Sequence, residues 1–85
     1  MSKEQVISTI SQAIRLNKSI QIVYFKSDGE ISKRTLGDIM YASEDIDKQN
    51  STEYNLDDNY ITAYCHLRKE RRTFKIERII EVKIL

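Results

Sequence analysis

The apolar periodicity of this chain changes once, from helical to alternating, and never changes back. Val6, Ile7, Ile10, Ala13 and Ile14 recur at the spacing of 3.6 residues per turn and form one stripe. Ahead of them, Ser2-Lys3-Glu4-Gln5 fits a capping box, in which the Ser2 hydroxyl accepts from the Gln5 backbone N–H and the Gln5 side chain reaches back. Asn17 supplies a left-handed stop. This predicts a helix over about 2–16. Its stripe must be buried on something, and a sheet is the only other element the pattern offers.

From Ile20 onward the period is two. Ile20-Gln21-Ile22-Val23-Tyr24-Phe25 is β-branched and aromatic, and Asp28-Gly29 is a strong hairpin signal. A second strand is expected from Ile31 towards Tyr41, bent near Gly37. Residues 43–58 are polar and acidic and read as a long exposed loop. A third strand is expected over Tyr60 to Leu67, with Ile61, Ala63, Cys65 and Leu67 turned to the core. Tyr60, Thr62, Tyr64 and His66 then share the open face. After a turn near Lys69-Glu70, a fourth strand runs over Arg72 to Ile76, with Phe74 and Ile76 inward and Thr73 and Lys75 outward. Ile79 to Leu85 closes the set after a kink at Glu77-Arg78. One helix followed by about five short strands, without βαβ alternation, predicts a mainly β fold: a small antiparallel barrel over about 19–85, preceded by the helix. At 85 residues the whole is read as one domain, since folding would hide roughly 60–65% of the unfolded surface.

The composition narrows the chemistry. A single histidine and a single cysteine build no zinc site, and one cysteine forms no internal disulfide. Two glycines make no phosphate-cradling glycine-rich loop, and no serine sits in a strand–turn–helix elbow. The carboxylates of 44–58 lack the spacing of a calcium loop. The reading is therefore non-catalytic, with no cofactor or metal. No apolar run approaches the ~20 residues of a membrane span, and lone-cysteine usage suits a reducing, cytoplasmic setting.

The charge is segregated. Residues 61–85 hold seven Lys/Arg against three Asp/Glu, and residues 41–60 one against six. The basic third also carries aromatics, and the two are expected to cluster on one sheet face: Tyr60, Tyr64 and His66 on one strand, Arg68 and Arg72 beside the turn, then Lys75 outward on the next strand and Arg78 at the kink. Arginine suits bidentate recognition of phosphate, and aromatic faces interleaved with cations hold single-stranded nucleic acid without a sequence code. Cross-strand packing of the tyrosines and ion pairing of the arginines with Glu70 and Glu77 account for the same pattern.

The stretch Tyr60-Ile61-Thr62-Ala63-Tyr64-Cys65-His66-Leu67-Arg68, followed by Arg72-Thr73-Phe74-Lys75-Ile76-Glu77-Arg78-Ile79, resembles the WYL domain of bacterial transcription regulators and phage-defence proteins. Upstream, Ile20, Ile22 and Tyr24 resemble that family's first strand and Arg34 the arginine of its second. Two positions depart: the namesake Trp-Tyr-Leu reads Asn59-Tyr60-Ile61, and the family's proline after the second-strand arginine reads Asp38. The resemblance implies an SH3-like or Sm-like barrel that senses nucleic-acid-like ligands, either single-stranded DNA or RNA or a nucleotide. By position it implies a pocket lined or supported by Tyr24, Arg34, Tyr60, Tyr64, His66, Arg68, Arg72 and Arg78, with the arginines on phosphate and Tyr64 stacking. Tyr24 also continues the Ile20/Ile22 face, which would make it a core residue needing a partner for its hydroxyl. The alternative reading is a protein-interaction or oligomerisation module, a homodimer for instance, that pairs through an exposed sheet edge.

Overall fold

A computed structural model describes residues 1–44 and 59–85. The acidic loop expected over 43–58 lies almost wholly outside them. Helix α1 spans Lys3–Leu16, and strands β1 to β5 span Ile20–Phe25, Ile31–Tyr41, Tyr60–Cys65, Glu70–Lys75 and Ile79–Ile84. Short 3₁₀ turns follow β2 at Ala42–Glu44 and β4 at Ile76–Arg78.

The helix begins where its cap dictates. The Ser2 Oγ accepts from the Gln5 N–H at 3.1 Å, and the Gln5 Oε1 accepts from the Ser2 N–H at 2.9 Å. Asn17, at φ 53°, ends it in the left-handed conformation. Val6, Ile10 and Ala13 are fully buried against the sheet. The β1–β2 hairpin closes with the Gly29 N–H on the Lys26 carbonyl at 3.0 Å, and Gly29 adopts φ 90°, a conformation costly for any side chain. The turn is a three-residue loop of the bulged kind, since the Lys26 N–H also donates to the Glu30 carbonyl at 2.8 Å.

All strand pairs are antiparallel, in the order β4-β3-β2-β1-β5. The two edge strands are therefore neighbours in sequence, joined only by Ile76–Arg78. Four peptide steps from Lys75 to Ile79 reach at most about 15 Å, whereas the edges of a flat five-stranded sheet lie about 19 Å apart. In such a sheet β4 would also end at the opposite end from where β5 begins. The link closes only because the sheet coils into a roll. Two bulges help: β2 carries an extra residue between Gly37 and Met40, where Asp38 takes φ 48°, and β5 carries one beside Val23/Tyr24, which leaves Ile80 exposed. The roll is not closed by a ladder between β4 and β5. The mainly β fold of one helix and five antiparallel strands is as expected, but the sheet is not closed into the expected barrel, because the 3₁₀ turn swings the chain across without pairing β5 to β4.

The concave face holds the core: Ile20, Ile22, Leu36, Ile61, Ala63, Cys65, Phe74 and Val82, sealed by the helix stripe. Two expectations for β3 need correction. Leu67, expected inward, is 65% exposed because the strand ends at Cys65 and the chain turns over 66–69. Thr62, expected on the open face, is fully buried, and its hydroxyl accepts from Arg71 at 3.1 Å.

Candidate functional site

At the mouth of the roll the concave face turns from apolar to cationic. Along β1, Ile20, Ile22 and Tyr24 share this face, and Lys26 follows with the same period. On β2, Arg34 stands directly across from Ile22. On β4, Arg72 stands opposite the buried Ala63 of β3. Arg68 comes from the 66–69 turn and Arg78 from the 3₁₀ turn. These five cations line one cleft of about 260 Å³ together with Tyr24, Ser27, Cys65, Thr73 and Phe74. Among the described residues no carboxylate lines it.

Packing holds the apolar part rigid. The Tyr24 ring meets Phe74 edge to face, with centroids 5.3 Å apart and planes at 86°. The Tyr24 hydroxyl accepts from the Lys75 backbone N–H at 3.1 Å, so the phenol spans the roll from β1 to the end of β4. Tyr24 therefore serves both as core and as cleft wall. The Arg34 Nε donates to the Ser32 Oγ at 2.7 Å, which leaves the two terminal amino groups of the guanidinium for other acceptors. Arg72 pairs with Glu70 at 2.8 Å, two residues back on the same strand face. Arg78 reaches the Phe25 carbonyl at 3.4 Å. Lys26 pairs loosely with Asp28 and Glu30 at 3.6 and 3.9 Å. Asp28 itself is held below its usual value, chiefly by the Glu30 backbone N–H.

The residues singled out in the sequence thus divide between two faces. Arg34, Arg68, Arg72 and Arg78 converge on the cleft with Tyr24. Tyr60, Tyr64 and Lys75 lie on the opposite face of the sheet, as their registers with each other and with Arg71 show. Lys75 there pairs with Glu77 at 2.8 Å. The Tyr64 ring packs edge to face with His66, just beyond the strand. The arrangement of all these groups on one face, expected from alternation, does not hold: Arg72 is two residues before Phe74 and shares its inward face. Arg68 is carried to the cleft by the turn. The cleft members missed in the sequence are Lys26, Ser27, Cys65, Thr73 and Phe74. Of these, Lys26 was signalled by its place in the Ile20, Ile22, Tyr24 alternation.

Arg71 was also missed. Its guanidinium bonds the Asp38 carboxylate at 2.8 Å, the Asp38 carbonyl at 3.0 Å and the Thr62 hydroxyl at 3.1 Å. This explains one departure from the family pattern. Proline is locked near φ −65°, whereas Asp38 sits at 48° and uses its carboxylate to clamp the bulge to β4. At the other departure, the Asn59 carbonyl accepts from the Ile76 N–H at 2.8 Å and its side chain accepts from the Lys3 ammonium at 3.3 Å. That position joins the start of β3 to the helix and the 3₁₀ turn.

Residues 53–84 match the family model of the WYL domain. The fold is similar to a solved structure of proteasome accessory factor B/C (PafBC) of Arthrobacter aurescens, with a TM-score of 0.72 and 26% sequence identity. That likeness covers 96% of this chain and 11% of the other, so the chain spans about a ninth of the length of that relative. No curated protein sequence matches the chain. The motif match over β3 to β5 and the structural likeness over nearly the whole chain converge, and both point to the WYL domain family.

Proposed function

We propose that this chain is a non-catalytic, regulatory ligand-sensing domain on an SH3/Sm-like roll. Its cleft grips the phosphate of a single-stranded nucleic acid or of a nucleotide. The observation that carries this reading is the convergence of Lys26, Arg34, Arg68, Arg72 and Arg78, from five separate segments, on one small cleft with no carboxylate in its wall among the described residues. Arg72 and Lys26 pair with carboxylates outside that wall, but like charges gathered in so small a cleft still repel, and an arriving phosphate relieves that repulsion. The volume lies just below the roughly 300 Å³ at which drug-sized sites begin. It suits one phosphate with its adjoining sugar or base better than an extended cofactor. The likeness to the WYL family supports the regulatory role, and the free thiol of Cys65 accords with a cytoplasmic setting.

The interaction-module reading draws less from the structure. β4 is an open edge, but it presents Glu70, Arg71, Arg72 and Lys75 in succession, and charged edges oppose pairing between copies. The deciding experiment is an anisotropy titration of labelled single-stranded DNA and RNA hexamers, with nucleotides as competitors, at two salt concentrations. Affinity that falls steeply with salt supports phosphate capture, since neutralised phosphates release counterions. No binding at low salt by any of these probes sinks it.

A further inference from the structure

The cleft follows the seam that no ladder closes. Tyr24, Lys26 and Ser27, at and beyond the end of β1, wall it on one side, and residues 72–74 of β4 on the other. β4 is an edge strand, paired to β3 alone. Every second residue of it therefore turns its N–H and C=O away from β3, and two hydrogen bonds show which. The Ile76 N–H donates at 2.8 Å to the carbonyl of Asn59, the residue before β3. The Lys75 N–H donates the other way, to the Tyr24 Oη at 3.1 Å. Bonded and non-bonded positions alternate along an antiparallel pair. Phe74 and Arg72 thus bond their register partners Ile61 and Ala63, and Thr73 turns its N–H and C=O outward as Lys75 does.

Of the three β4 residues in the cleft wall, Thr73 is then the one that offers the cleft its backbone. Among the described residues neither its N–H nor its C=O has a partner. Thr73 is half-buried. Backbone groups withdrawn from bulk water are nearly always paired, so the partner here comes from what occupies the cleft. The opening is short. The next outward N–H, that of Lys75, is already filled by Tyr24, whereas an added peptide strand bonds along a run of alternate residues. One donor beside one acceptor matches the edge of a nucleobase, which carries the same pair in reverse.

Resting on the phosphate-binding reading of the cleft, we propose that the free edge of β4 at Thr73 binds the base of the nucleotide whose phosphate the cations hold. The Thr73 N–H donates to a ring nitrogen or carbonyl of the base, and its C=O accepts from the adjoining N–H. The cleft is then a nucleotide site rather than an anion site, and a sugar phosphate fills it incompletely. Every common base carries such a pair, so the contact selects for a base without choosing among bases.

The test uses the whole chain, with three probes: uridine monophosphate, the same nucleotide methylated on its imide nitrogen, and ribose phosphate. All three carry the phosphate, and methylation removes the one N–H of the uracil ring. Two neutral hydrogen bonds are together worth about 5- to 150-fold, so uridine monophosphate should bind that much more tightly than ribose phosphate. The methylated nucleotide should bind no more tightly than ribose phosphate. Amide exchange followed by NMR locates the contact. The Thr73 N–H should exchange freely in the unliganded chain and be protected by uridine monophosphate but not by ribose phosphate. The Phe74 N–H, bonded to β3, should be protected throughout.

Thr73→Pro deletes the donor at an edge position that admits proline, and the Thr73 hydroxyl is buried with no hydrogen bond to lose. This variant should bind uridine monophosphate no more tightly than ribose phosphate; if it does not fold, the methylated probe decides on the parent chain. Protection of the Thr73 amide by hexauridylate as well supports the pairing and extends it to a strand; protection by the mononucleotide alone supports it for the free nucleotide. Equal affinity for uridine monophosphate and ribose phosphate, both weakened by Arg34→Ala, overturns the proposal and leaves the cleft reading standing. A Thr73 amide already protected in the free chain overturns it too. So does one protected by hexaglutamate but not by uridine monophosphate, which assigns the edge to an acidic peptide. Binding of none of the phosphate probes refutes the cleft reading and the proposal together.

Discussion

Arg34 is the cation whose loss should be felt most cleanly. Its Nε–H is taken by Ser32, and both terminal amino groups remain for a bidentate contact with phosphate. Among the described residues no carboxylate lies within ion-pair distance of it, so a phosphate arriving there displaces none of them. A charge-assisted hydrogen bond contributes ~1.5–3 kcal/mol, and Arg34→Ala should therefore weaken single-strand binding by about 10- to 150-fold. It should also flatten the dependence of log K on log salt by about 0.7, the contribution of one phosphate on a single strand. Arg34→Lys keeps the charge but loses the planar fork, and should fall between the two. The side chain is half-buried and gives up one hydrogen bond, so the fold should lose no more than about 1.5 kcal/mol. Anisotropy titrations at four or more salt concentrations, with melts followed by circular dichroism, measure each quantity. An affinity within about 3-fold of the parent, with an unchanged salt slope, would remove Arg34 from the site and with it the argument from convergence.

Other consequences are open to measurement. Glu70→Gln frees Arg72 from its partner and should raise single-strand affinity by about 1.4- to 5-fold, the worth of an exposed ion pair; weaker binding would show that Glu70 positions Arg72 instead. Ile10→Ala empties a fully buried site between helix and sheet and should cost ~2–5 kcal/mol by urea denaturation. A loss below about 1 kcal/mol would mean that the helix is not a structural member of the core. Ser2→Ala removes the capping box and should cost about 0.5–2 kcal/mol by the same assay, with no change in ligand affinity. The hydrogen bond from the Lys75 ammonium, with its charge, holds the Glu77 carboxyl below its ordinary 4.5, and Glu77 in return holds Lys75 above its ordinary 10.5. The depressed carboxyl contributes stability above 4.5 that is lost as pH falls through the lowered value. The raised ammonium contributes stability below 10.5 that is lost as pH rises through the raised one. Urea midpoints against pH should decline less steeply on the acid side in Glu77→Gln, and identical profiles would contradict the pairing.

Local signals in the sequence determined the elements. The capping box, the left-handed Asn17, the Asp28-Gly29 turn and the single change of period each act within a few residues. The helix and the five strands follow from them to within about two residues at most ends. The inward set Ile20, Ile22, Ile61, Ala63, Cys65 and Phe74 was legible for the same reason, since alternation records burial directly. Alternation reports which residues of one strand share a face, but not how the faces of different strands are oriented once the sheet coils. Arg72 was therefore grouped with Tyr64, although the register to β3 sets it opposite Ala63 and on the other side. Leu67 and Thr62 were misplaced because the strand's end at Cys65 and the reach of Arg71 across the sheet depend on residues far apart in sequence. Arginines drawn from β2, β4 and two turns meet only because a three-residue link forces the edge strands of the sheet together. The cationic cleft is thus a product of sheet curvature, and curvature is a property of the assembled strands rather than of any one segment.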